Sequence, residues 1–142
     1  MIIVNAKSGD LEKVIRYSVL LNKPEEVKKD VVCRCVTDNL VWVAKDQDFI
    51  IGYVMVELFG PEQKYFPDSV FISELYVDEK YRGQGVGSAL VETALKGEYP
   101  AGYSYFSLTH DPDEAWLTGF YERFGFKKTG TTDVGNIKLV KK

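Results

Sequence analysis

The stretch that most constrains how this chain can fold is Ser73-Glu74-Leu75-Tyr76-Val77-Asp78-Glu79-Lys80-Tyr81-Arg82-Gly83-Gln84-Gly85-Val86-Gly87-Ser88. It reads as the end of a buried strand, a short polar turn, three alternate glycines and the first turn of an amphipathic helix. A strand and a helix must therefore meet at one loop. The N–H groups of a helix's first turn have no intrahelical acceptor, and together with the helix dipole they offer a seat for an anion. Gly83, Gly85 and Gly87 remove the side chains that would hold a ligand off the backbone, and Arg82 adds a fixed positive charge beside it. We read residues 82–88 as a pyrophosphate site.

The elements around the loop follow from periodicity. Ile2-Ile3-Val4 predicts a first strand, and Ser8 or Asp10 a cap for a helix with apolar residues Leu11, Val14, Ile15 and Val19. Asn22-Lys23-Pro24-Glu25 reads as a second helix start. Val31-Val32-Cys33-Arg34-Cys35-Val36 suits either a helix or a strand, and we assign it to the helix. From Asn39 the period changes: residues 40–44 and 49–58 read as an antiparallel hairpin, and residues 70–77 as a third strand. Behind the glycine loop, Val86, Ala89, Leu90, Thr93 and Ala94 form a helical stripe ending at Gly97. Residues 103–109 form a strand that a crossover places parallel to the one ending at Val77. Asp111-Pro112-Asp113-Glu114 predicts a helix start, with Asp111 as the cap. That helix carries Trp116, Leu117, Phe120, Tyr121 and Phe124 and stops at Gly125, and Gly119 inside it suggests close packing. Two short strands, near residues 126–128 and 136–140, complete the chain.

Composition bounds the function. At 142 residues, with 45% hydrophobic and 27% charged residues, the sequence predicts one soluble domain, 1–142, that needs neither disulfide nor metal. A formal charge of -3 argues against a nucleic-acid surface, which requires clustered Lys and Arg. No apolar run approaches the roughly 20 residues of a membrane helix, and the first residues lack the features of a signal peptide, so we expect no membrane partner and a cytoplasmic location. Cys33 and Cys35 read as two reduced thiols, too few for a structural zinc site.

The loop alone admits a P-loop or a Rossmann turn, but neither fits. A P-loop requires Lys-Ser/Thr after the last glycine, where Ser88-Ala89 stands, and a Rossmann turn requires a different glycine spacing. Arg82-Gly83-Gln84-Gly85-Val86-Gly87 instead resembles the Arg/Gln-x-x-Gly-x-Gly/Ala motif of the GNAT superfamily of N-acetyltransferases. Leu75-Tyr76-Val77-Asp78 resembles the strand end before it, and Phe120-Tyr121-Glu122-Arg123-Phe124-Gly125-Phe126 resembles the family's second signature. The order of strands and helices is similar over essentially the whole chain. The asparagine and small residue usual ahead of the tyrosine are replaced by Glu114 and Leu117.

The resemblance implies an α/β (α+β) acyl-CoA N-acyltransferase fold, with a mixed, mostly antiparallel sheet of about six to seven strands flanked by about four helices. It implies acetyl-CoA as co-substrate and no metal. The pyrophosphate would sit on the amides of Gln84, Gly85, Val86, Gly87 and Ser88, with Arg82 and Gly83 beside them. The pantetheine would lie along Leu75, Tyr76 and Val77, in a wedge where that strand parts from the parallel strand ending at Thr109, and an amide there would face the acetyl carbonyl. Tyr121 corresponds to the tyrosine that often protonates the departing thiolate. With reference values near 10 for a phenol and 8.5 for a thiol, that transfer is uphill by about 2 kcal/mol.

The base is assigned to Glu74, directly or through water; the alternative is a solvated strand residue. His110 is a second base candidate, against a capping or exposed histidine, and Glu57, Tyr65 and Phe66 are candidate acceptor-pocket residues. The implied partner is a small-molecule or peptide amine attacking the thioester in a ternary complex, and homodimers are common in the family. The rival readings are a catalytically silent acyl-CoA-binding sensor or subunit, and a nucleotide-phosphate binder unrelated to CoA.

Overall fold

A computed structural model describes residues 1–21 and 25–142. Among these residues, seven strands and four α-helices follow in the order β1 (Ile2–Asn5), α1 (Leu11–Val19), α2 (Glu25–Thr37), β2 (Val41–Asp46), β3 (Phe49–Phe59), β4 (Ser69–Val77), α3 (Val86–Leu95), β5 (Tyr105–His110), α4 (Trp116–Glu122), β6 (Lys127–Thr131) and β7 (Ile137–Lys141). The strand order is β1-β2-β3-β4-β5-β7-β6. The β4–β5 pair is parallel, whereas β1–β2, β2–β3, β5–β7 and β6–β7 are antiparallel. The sheet is mixed, as expected. Among the described residues, no helix is long and apolar enough to cross a membrane.

Two compact units divide the chain: residues 1–56 with 74–97, and residues 57–73 with 98–142. In the first, β3 is buried at every position from Ile51 to Val56, the pattern of a strand covered on both faces. Alternation sends Gly52 and Tyr53 to opposite faces. On Gly52's side lies α3, whose Leu90 would come within 3.4 Å of a Cβ placed there. On Tyr53's side lies α1, whose Tyr17 ring stacks on the Tyr53 ring at 6.3 Å. The helix reading of residues 31–36 is correct: α2 buries Val32 and Cys35 and leaves Cys33 exposed, and neither cysteine is in a disulfide. The Asn22-Lys23-Pro24 part of the predicted helix start lies outside the described residues.

In the second unit, β4 and β5 start together. Ser69, Val70 and Phe71 pair with Tyr105, Phe106 and Ser107, and the hydroxyls of Ser69 and Ser107 share a buried hydrogen bond of 2.7 Å. Phe126, Leu108 and Leu139 form its core.

Three local expectations fail. A 3-10 turn, Ser8–Asp10, precedes α1, and Asp10 makes no side-chain cap; its carboxylate accepts instead from the Lys7 amide at 2.9 Å. Asp111 does not cap α4, because its carboxylate is spent on the Asp113 amide at 2.8 Å and its carbonyl on Glu114 at 3.0 Å. Those bonds close a turn, and the helix begins only at Trp116. Gly119 is not close-packed: a Cβ there would meet nothing within 4 Å.

Candidate active site

The glycine loop leaves β4 through Asp78, which caps a 3-10 turn, Glu79–Tyr81, by accepting the Lys80 amide at 3.0 Å. Tyr17 fixes the same carboxylate from the other oxygen, its hydroxyl lying 2.9 Å from Asp78 and 3.1 Å from the Ile50 carbonyl. The Lys80 amide and the Tyr17 hydroxyl hold the Asp78 carboxyl below the usual carboxylate range. Gly83 and Gly85 have φ of 79° and 84°, the left-handed region that other residues occupy only under strain. At neither position would a Cβ touch anything within 4 Å. Protein packing therefore does not account for these two glycines; the backbone path accounts for them, together with the open space above it.

Gly85 is the N-terminal flanking residue of α3, and the first backbone bond of the helix runs from the Ala89 amide to the Gly85 carbonyl at 3.0 Å. The amides of Val86 and Gly87 precede that bond, and Arg82, Gly83, Gln84 and Gly85 are exposed. Arg82 donates from Nε to the Val77 carbonyl at 2.9 Å and lies over the Tyr76 ring at 5.3 Å. One fixed arginine, two open glycines and a helix start fit a polyanion. Leu75, Tyr76 and Val77 are half-buried on the last turn of β4 before this loop.

Glu74 is not a solvated strand residue. It is 8% exposed, and alternation turns it to the face opposite Leu75, where Tyr53 and the first helices lie. One carboxylate oxygen accepts the Ser18 hydroxyl and the Tyr53 hydroxyl, each at 2.6 Å. The other forms an ion pair with the ammonium of Lys28, itself 2% exposed. Burial, and then the Glu74 charge, push the Tyr53 phenol well above its ordinary value, so Tyr53 keeps its proton and donates it to Glu74. Sequence reasoning missed Ser18, Lys28 and Tyr53. The signal was present for Lys28, which shares the buried stripe of α2 with Val32 and Cys35 at i+4 and i+7.

Tyr121 lies on α4 in the second unit, 6% exposed, edge-on to Phe120 at 5.0 Å and to Phe126 at 5.6 Å. Burial raises its phenol, so the hydroxyl keeps its proton. His110 is neither exposed nor capping. It is 7% exposed, with Nδ1 2.9 Å from the Asp111 carbonyl and Nε2 2.8 Å from the Thr118 hydroxyl. A carbonyl only accepts, so Nδ1 carries a proton; Nε2 pairs with the Thr118 hydroxyl, and both nitrogens are spent. Tyr65 is also committed: its hydroxyl donates to the Asp133 carboxylate at 2.8 Å and accepts the Asp133 amide at 2.9 Å. Phe66 is buried and stacks on Phe71.

A strand end that runs into a glycine-lined helix start beside a fixed arginine has the geometry of an anion seat. Residues 37–128 match the model of the acetyltransferase (GNAT) domain. Human N-acetyltransferase 8B is 31% identical over 106 residues, which are 74% of this chain and 45% of that protein. The peptidyl-lysine N-acetyltransferase YjaB of Salmonella typhimurium is 32% identical over 124 residues, 85% of this chain and 73% of that one. The paiA N-acetyltransferase of Thermoplasma acidophilum, solved in complex with coenzyme A, superposes with a TM-score of 0.71 at 18% identity, over 99% of this chain and 98% of that one. The chain spans less than half the length of the human relative. It belongs to the GNAT acetyltransferase family.

Proposed function

We propose that this chain transfers the acetyl group of acetyl-CoA to a primary amine, by direct attack of the amine on the thioester in a ternary complex. The observation that carries the reading is the loop of Arg82, Gly83, Gln84 and Gly85 at the start of α3, where the two left-handed glycines face open space. The pyrophosphate binds the amides of Gln84, Gly85, Val86, Gly87 and Ser88, and Arg82 supplies charge. The pantetheine runs along Leu75, Tyr76 and Val77, and an amide of that strand end faces the acetyl oxygen. One donor aimed at the developing oxyanion contributes about 3 kcal/mol.

Glu74 receives the acceptor's ammonium and takes its proton, directly or through water. The freed amine attacks the carbonyl carbon, the C–S bond breaks, the thiolate takes the phenolic proton of Tyr121, and the second proton shed by the nitrogen as the amide forms returns through water to the tyrosinate. Burial makes that phenol a weaker acid than free tyrosine, so the transfer is uphill by more than the roughly 2 kcal/mol of the reference values. The acceptor is a small-molecule or peptide amine; the name of the Salmonella relative, a peptidyl-lysine acetyltransferase, favours a lysine side chain as the first acceptor to try.

The test is thiol release from acetyl-CoA with lysine peptides, diamines and simple alkylamines, alongside calorimetric binding of CoA. Tyr121→Phe should lower turnover by about 10²- to 10⁴-fold with CoA affinity unchanged; unaltered turnover would remove the assigned acid. CoA binding without thiol release from any amine would leave the silent acyl-CoA-binding subunit as the reading.

A further inference from the structure

Glu74 has two oxygens in different situations. Oε1 is held by two hydroxyls, Ser18 and Tyr53, each at 2.6 Å. Both come from residues that are fully buried, and Tyr53 is fixed by its stack on Tyr17. Oε2 has as its partner the ammonium of Lys28, carried on α2. The carboxylate is thus held by two neutral hydroxyls at one oxygen and by a single cation at the other.

Stability alone does not explain Lys28. Taking an ammonium and a carboxylate out of water costs as much as their attraction returns, and apolar replacements of such pairs are often neutral or stabilising. An apolar residue would also continue the stripe of Val32 and Cys35. What Lys28 does supply is a primary alkylammonium, the chemical group that an amine acetyltransferase must receive. It supplies that group to the carboxylate one residue before Leu75, where β4 turns toward the glycine loop.

We propose that Lys28 occupies the acceptor's ammonium seat on Glu74, so that a cationic acceptor enters by displacing an internal lysine. The inference rests on the acetyltransferase reading and names what limits its acceptor side. An alkylammonium must compete with a tethered copy of itself, so weak, simple amines are excluded. Acceptors that bring further contacts of their own win the exchange.

Lys28→Met tests this, because Met fills the lysine stem and vacates only the place of the ammonium. In thermal unfolding at fixed ionic strength, methylammonium chloride should raise the melting temperature of Lys28→Met by several degrees. Tetramethylammonium chloride, which has no N–H to donate, should not. Wild type should respond to neither, and Lys28→Met combined with Glu74→Gln should lose the response.

In steady state, the KM for n-butylamine should fall about ten- to hundredfold in Lys28→Met, the range of a charge-assisted bond regained, while CoA affinity stays the same. A melting temperature of Lys28→Met that ignores methylammonium, or a wild type that responds equally, overturns the proposal. If Lys28→Met does not fold alone, methylammonium present during refolding should recover it, and failure to do so also overturns the seat. Turnover without the methylammonium response removes the seat and leaves the acetyltransferase reading. The response without thiol release from any amine does the reverse.

Discussion

Gly52→Ala probes how tightly the reacting end of β4 is held. A Cβ at Gly52 would lie 2.7 Å from the Tyr76 carbonyl oxygen and 3.3 Å from Val77 Cα, with Leu90 of α3 at 3.4 Å. The first two are backbone atoms, so no side chain can swing away and the strand must move. Overpacking of this kind costs about 1–3 kcal/mol, against about 0.5–1 kcal/mol gained by replacing glycine within a strand. The net expectation is a loss of about 0–2.5 kcal/mol, centred near 1 kcal/mol. For a chain of 142 residues, 1 kcal/mol corresponds to about 3 °C in melting temperature. Turnover should fall further than stability predicts, because the displaced groups, Tyr76 and Val77, are those assigned to the pantetheine. Urea titration, scanning calorimetry and thiol release with acetyl-CoA measure the three effects. A Gly52→Ala protein with wild-type melting temperature and wild-type turnover would refute the claim that this contact sets the position of the strand end.

Two further substitutions have opposite characters. Gly119→Ala should stabilise the protein by about 1 kcal/mol, the helix propensity difference, since a Cβ there meets nothing within 4 Å; a lower urea midpoint would show a neighbour that the structure lacks. Asp78→Asn should change the acid limb of stability. The native Asp78 carboxyl is held below its ordinary value by the Lys80 amide and the Tyr17 hydroxyl. Its contribution is therefore complete above the unfolded value of about 3.9 and disappears as pH falls through the lower native value. The difference between wild-type and Asp78→Asn urea midpoints should be constant at neutral pH and shrink below about pH 4; a difference that grows in acid would reverse the assignment.

The loop was legible because glycines at 83 and 85 serve a backbone path that few other residues can follow, and a helix stripe starts directly after them. The parallel placement of β5 followed from the crossover through α3, which chain handedness and length nearly dictate. The environment of Glu74 was not legible: alternation gives its face, but not that Ser18, Lys28 and Tyr53 converge there from 56, 46 and 21 residues away. A charged residue on a helical stripe is ordinarily read as solvated, so Lys28 carried no visible partner. The start of α4 was misread for a related reason. Asp, Pro and Glu at residues 111–114 satisfy both a cap and an isolated turn, and His110, by occupying the Asp111 carbonyl at 2.9 Å, adds a third demand on the same residue.

Arg82 is exposed, yet its Nε is bonded to the Val77 carbonyl and its guanidinium lies on the Tyr76 ring. A long side chain that is ordered only when a ligand arrives loses about 0.5–1.5 kcal/mol of conformational entropy at that moment. Here the ordering happens during folding, and in the proposed seat the terminal nitrogens would meet the phosphate. Lysine at this position would keep the charge but lose both the Nε bond and the planar stack, and with them the advance ordering. Under the proposed CoA seat the consequence is energetic: the cost of ordering this side chain does not fall on cofactor binding.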